Sequence, residues 1–317
     1  MTKVRTFICL VIVTITSHLA FAQTNIDEHE WTVTLKVVDE AGNPMPDANA
    51  KIWYHIPPPE GQSIAMTNKA GLTDSNGVFI ATKHSGSIEL ECEAQKIGYY
   101  GSGLSHEFAK FKDNDPAKWN PTVTLMLKKI TKPIAMYAKQ ATNLKLPVFD
   151  KSIGYDLMIG DWVGPYGKGV STDIILEKEY YEKASNDYYS KVTLSFPKTG
   201  DGIQLFTPSD AEKGSDLRSP HEAPADGYQP ELTRETSAHP GQPSKFEYDA
   251  SRIYFFRVRT ALDDEGKVVS AHYGKIYGDF MTITYYLNPT PNDRNIEFDP
   301  MQNLLRGLQS FKQVRQP

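Results

Sequence analysis

From Trp31 the chain alternates. Trp31, Val33, Leu35 and Val37 fall on one face, with Thr32, Thr34 and Lys36 opposite, and a period of two is the signature of a half-buried strand. A turn-rich stretch, Asp39 to Pro44, follows, and Ala48 to Tyr54 reads as the next strand. Pro57-Pro58-Pro59-Glu60-Gly61 has no place inside a sheet and is expected as an exposed loop. Asp74-Ser75-Asn76-Gly77 carries the chemistry of a tight hairpin, because Asn and Gly tolerate positive φ. Val78 to Thr82, Ile88 to Ala94 and Pro121 to Lys129 complete a first set of strands. Short strands at this spacing predict a β-sandwich.

The second half repeats the β pattern with more aromatic residues, holding 14 of the 17 tyrosines. Strands are expected at 170–177 and 188–196, then a meander over 252–262, 267–277 and 280–287. Asp299-Pro300 is a helix start, after which Leu304, Leu305, Leu308 and Phe311 share a face. Between Pro208 and Ala250 the pattern dissolves. Six prolines occur there with few large apolar side chains, so a long surface loop is expected. The fold class is therefore all-β with two domains: a seven- or eight-stranded sandwich, then an aromatic-rich antiparallel β domain with a short C-terminal helix. The boundaries are 1–22, 23–131, a linker at 132–150, and 151–317 with the long loop at 208–250.

Three stretches of the first half resemble the carboxypeptidase regulatory-like domain. They are Val38-Asp39-x-x-Gly42-x-Pro44-x-x-x-Ala48, Thr73-Asp74-x-Asn76-Gly77-x-Phe79 and Lys96-x-Gly98-Tyr99. The resemblance covers about residues 30 to 130. It implies a transthyretin-like or prealbumin-like sandwich serving as an accessory or adhesive module, with no catalytic residues to carry over. The second half is similar to the C-terminal part of uncharacterised exported bacterial proteins that carry the same first module, a likeness that implies no activity.

The N-terminus changes the picture of where the chain works. Lys3 and Arg5 precede an apolar run from Phe7 to Ile15, and Ala20-Phe21-Ala22 supplies the small-x-small cleavage pattern. A signal peptide over 1–22 places the protein in the periplasm or outside the cell. No later segment is apolar enough for a membrane span. Cleavage leaves Cys92 as the remaining cysteine, flanked by Glu91 and Glu93 on an inward face, so it is read as a buried structural thiol and not a nucleophile. Net charge is -5 with no block of five like charges, which points away from nucleic acid.

Catalytic and metal signatures fail on spacing. His29-Glu30, His106-Glu107 and His221-Glu222 lack the second histidine of a zinc protease, since Val33, Lys110 and Ala225 occupy those positions. Gly101-Ser102-Gly103-Leu104-Ser105 is no serine elbow, because Gly-x-Ser-x-Gly around Ser105 needs glycine at position 107, which is Glu, and the surroundings are β. No cofactor or metal is expected. Trp162, Tyr166 and Tyr228 lie in turn-like sequence with Gly and Pro nearby. They are the candidate ligand-binding residues, because aromatic rings on rigid turns stack on sugars or anchor a partner; core packing is the competing reading. The expected function is that of an exported, non-catalytic accessory or binding protein for a glycan or cell-surface protein. The alternative is an extracellular hydrolase of polysaccharide or peptide, with Asp161 beside Trp162 and Asp279 beside Phe280 as its acidic candidates.

Overall fold

The structure, a computed structural model, describes residues 29–56, 65–85, 89–107, 120–141, 146–246, 251–278 and 283–317. The expected signal peptide, the Pro57–Gly61 loop, and Asp279 with Phe280 lie outside the described residues.

The first domain is a seven-stranded sandwich. One sheet has the order β4 (Val78–Ser85), β1 (His29–Val38), β7 (Thr122–Met126). The other has the order β3 (Ala65–Leu72), β2 (Asn49–Ile56), β5 (Glu89–Gln95), β6 (Ser102–Glu107). β1 runs antiparallel to β4 and parallel to β7. The alternation of β1 is what makes the core: Trp31, Val33, Leu35 and Val37 are buried against Ile52, Tyr54, Leu90 and Cys92 of the facing sheet. Each such side chain removed from water stabilises the fold by roughly 1.5–3 kcal/mol before entropy is counted. Asp74 accepts from the Asn76 and Val78 amides and Gly77 sits at φ 69°, so the expected turn forms. It does not close a hairpin, however. β3 and β4 belong to different sheets, and the turn carries the chain across the sandwich.

The second domain also pairs two sheets. The first has the order β10 (Asp161–Trp162), β9 (Ile153–Asp156), β11 (Ile174–Ala184), β12 (Asp187–Ser195), β14 (Glu231–Ala238). The second has the order β13 (Gly202–Phe206), β15 (Ile253–Leu262), β16 (Val268–Gly278), β17 (Ile283–Leu287), β8 (Tyr137–Ala141). The meander β15–β16–β17 is antiparallel throughout, as its turns imply. Tyr254, Phe256 and Val258 face the core between the sheets, while Ile253 and Phe255 face a separate apolar cluster on the outer side.

Two expectations need correction. The stretch 208–250 is not one surface loop, because it contributes β14 to the first sheet. The C-terminal helix is reduced to two 3-10 turns, Pro300–Gln302 and Ser310–Lys312. Asp299 caps the first turn through the Met301 amide, but Asn303 is extended and Gly307 has φ 69°. The strand edge wins the competition. The Asn303 side chain bonds both the amide and carbonyl of Ala138, and the Leu304 amide bonds the Met136 carbonyl.

Candidate functional site

The three aromatic residues singled out in the sequence do not share one surface. Trp162 lies in β10 and packs edge-on against Tyr155, ring centroids 5.1 Å apart, at the margin of the inner core. Tyr166 follows the cis Gly164–Pro165 bond and is 44% exposed. Tyr228 packs on the outer cluster beside Tyr273, donates its hydroxyl to the Pro224 carbonyl and lies under the Arg257 guanidinium. Trp162 and Tyr228 therefore belong to clusters on opposite faces of the second sheet. Asp161 accepts from the amides of Trp162 and Lys168, which makes it the organiser of its own turn. Nearby Asp156 does the same for Met158, Ile159, Val170 and Ser171.

A more exposed aromatic surface lies on the ribbon formed by the distal ends of β11 and β12. Residues 180–184 are exposed on both faces, so this part of β11 extends beyond the core. Register places Tyr181 directly opposite Tyr189, and their rings lie 5.8 Å apart at 20°. The His239 ring continues the row at 6.4 Å and 30° from Tyr181. Lys183 sits over Tyr181, and Asp187 holds His239 through Nδ1 at 3.1 Å. The period of two sends Tyr180 to the other face, where it meets Phe149 at 6.0 Å with Lys178 over both rings. The doublets Tyr180-Tyr181 and Tyr188-Tyr189 carry this surface in the sequence. They read simply as strand formers there, because nothing local tells that the strand outruns its core.

The third region is the joint between the domains. Lys128 is buried at the end of the first domain and reaches Glu212 Oε1 at 2.9 Å and the Ser219 carbonyl at 3.0 Å. Glu297 is buried and accepts from the Tyr100 hydroxyl, the Thr131 amide and hydroxyl, and the Lys132 amide. Burial alone raises its pKa, but these donors outweigh it and hold the carboxyl at about 2. His221 bridges Glu297 and Glu40, each at 3.1 Å. Residues 214–216 add a short antiparallel bridge to the β6 edge, with Gly103 donating to Gly214 and Asp216 to Gly101. Beneath the joint Lys275 is fully buried over the rings of Tyr277 and Tyr286, and donates to Ser219 Oγ at 3.1 Å. Among the described residues no group of three or more His, Cys, Asp or Glu side chains is placed to hold a metal ion, and no helix is long and apolar enough to cross a membrane.

No protein-family model matches the chain, and neither does any curated protein sequence. Among solved structures it is similar to catechol 1,2-dioxygenase from Acinetobacter at 13% identity and a TM-score of 0.25, over 34% of this chain and 55% of that one. The shaft pilin SpaA of Lactobacillus rhamnosus GG is similar at 14% identity and a TM-score of 0.23, over 56% of this chain and 90% of the pilin. A streptococcal ancillary pilin is similar at 9% identity and a TM-score of 0.23, over 86% of this chain and 62% of that one. The chain spans about half to two thirds of the dioxygenases that it matches.

Proposed function

We propose that the chain is an exported, non-catalytic binding protein whose second domain holds a glycan on the β11–β12 ribbon. The observation that carries this reading is the row Tyr181, Tyr189, His239. It is a set of nearly parallel rings on a ribbon, with Lys183 and Asp187 beside them for polar contacts. Aromatic faces supply large contact area at low entropic cost and pack against the C–H faces of sugars. The N-terminal segment supports export, which brings the ribbon among envelope and extracellular polymers. The resemblance to the carboxypeptidase regulatory-like domain supports a spacer role for the first sandwich. The hydrolase alternative draws on Asp161 and Asp279. Asp161 already holds two amides of its own turn, and Asp279 lies outside the described residues.

Glycan-array binding paired with melting curves tests the reading. Tyr181→Ala and Tyr189→Ala are expected to cost roughly 1–3 kcal/mol of binding, about tenfold or more in affinity. Tyr181 is 42% exposed, so its loss leaves the melting temperature nearly unchanged. Retained binding in both variants, or binding lost only together with folding, overturns the assignment.

A further inference from the structure

β3 is the last strand of its sheet, with β2 on one side of it. Just past its end the Thr73 amide bonds the Ala48 carbonyl. Ladder bonds alternate from there along the registered pairs Asn49–Leu72 to Ile56–Ala65. Thr67, Lys69 and Gly71 therefore bond β2, while the backbone amides and carbonyls of Met66, Asn68 and Ala70 point away from it. Among the described residues nothing pairs with these groups. The far edge of the same sheet differs, since residues 214–216 lie along β6. Ala50, Ile52 and Tyr54 of β2 face the core, so Met66, Asn68 and Ala70, opposite His55, Trp53 and Lys51, stand on the outer face. Met66 is 47% exposed. Four residues on, Ala70 borders a hollow of about 470 Å3, walled by Gly71 and Leu72 of the edge and by Lys51, Glu93 and Gln95 behind it. One face of one strand thus carries both an exposed knob and a hollow.

We propose that two copies of this chain join through β3, antiparallel, about a twofold axis at Asn68. That pairing sets Met66 of each copy opposite Ala70 of the other, so the knob meets the hollow twice. Side chains directly opposite across an antiparallel pair are in contact, and a flexible thioether fills an irregular gap well. The outward amides and carbonyls of Met66, Asn68 and Ala70 exchange ladder bonds in the same register, which is strand addition to an open edge. Charge favours this register over its neighbour. An axis at Lys69 sets two ammonium groups directly opposite each other, a destabilising pair; an axis at Asn68 sets Lys69 opposite Thr67. The contact uses the same edge of both copies, so it closes at two and leaves no edge of β3 for a third. The β11–β12 ribbon belongs to the other domain and takes no part in it.

Sedimentation velocity on the chain from Gln23 onward tests the proposal. A dimer is expected to form by about 0.1 mM. Met66→Lys carries an ammonium toward Lys51 of the partner copy and is expected to weaken the dimer by about tenfold or more. Asn68→Pro removes an outward amide that β2 does not use, a change edge strands tolerate, and is expected to abolish the dimer. Met66 is exposed, so its variant decides the matter if the proline variant fails to fold. Asn68→Cys places two thiols across the axis with Cα atoms about 5.5 Å apart, and a short bis-maleimide is expected to link them, Cys92 being buried. Tyr181→Ala is expected to leave the dimer intact. A chain that stays monomeric, a dimer unmoved by Met66→Lys, a dimer whose Asn68→Cys form does not cross-link, or a dimer lost with Tyr181→Ala overturns the proposal.

Discussion

Glu297 ties acid sensitivity to one side chain. Burial raises its pKa, yet hydrogen bonds from Thr131, Lys132 and Tyr100 bring it down to about 2. A carboxyl depressed in the folded state binds fewer protons there than in the unfolded chain. Its contribution is therefore fully present above the ordinary glutamate range, near pH 4.5, and is lost as pH falls from there toward 2. The contribution is on the order of 3 kcal/mol. Denaturant unfolding at several pH values is expected to show Glu297→Gln less stable at neutral pH and less sensitive to acid. Lys275 has the opposite sign. Burial, the largest cause, and Lys128 hold its amine well below its usual pKa, so the charged form is penalised in the folded state at neutral pH. Lys275→Met keeps the length of the side chain and leaves Ser219 bonded to the Tyr277 hydroxyl. Its thermal midpoint at pH 7 is expected to equal or exceed that of the parent. Cys92 is buried, and burial pushes its thiol up to about 12. Iodoacetamide is expected to label it only in denaturant, as its inward position on β5 implies.

At the scale of elements, β1 is visible in the sequence because its two faces differ, with four apolar residues on one of them. The meander β15–β17 is visible for another reason: much of it is buried on both faces, so apolar and aromatic runs bounded by turns mark its strands. β3, β6, β8, β10, β13 and β14 are not visible, and each lies at an edge of its sheet. Edge strands such as β3 (AMTNKAGL) and β14 (ELTRETSA) bury little on either face, so alternation has no physical cause there. β9 escaped because it has only four residues. The same limit applies to the candidate surfaces. Turn chemistry drew attention to Trp162, Tyr166 and Tyr228, but which face of a sheet each one packs on is decided by pairing far along the chain. The C-terminal segment is a case where tertiary hydrogen bonding overrode a helical pattern. Asn303→Ala removes two bonds to Ala138. It is expected to cost roughly 1–3 kcal/mol by thermal denaturation, because the edge groups of β8 lose their partner.

At the scale of the whole molecule, the two sandwiches have separate apolar cores and a shared polar joint. A fragment of residues 24–131 retains every residue of the first core from Trp31 to Leu127, and is expected to fold with a dispersed amide spectrum. It loses the partners of Lys128 and Tyr100, so its melting temperature is expected to lie below that of the domain in the full chain.

The loop at 214–216 gives that fragment one further property. In the full chain it lies along β6, the last strand of its sheet, and occupies the amide of Gly103 and the carbonyl of Gly101. Cutting the chain at 131 bares these groups, and a bare strand edge is a template for another copy of itself. In the full chain this pairing leaves these two groups unavailable to a second copy. Light scattering of the fragment is expected to rise with concentration where the full chain stays clear, and Gly103→Pro, which removes the amide that a second copy would pair with, is expected to suppress the rise.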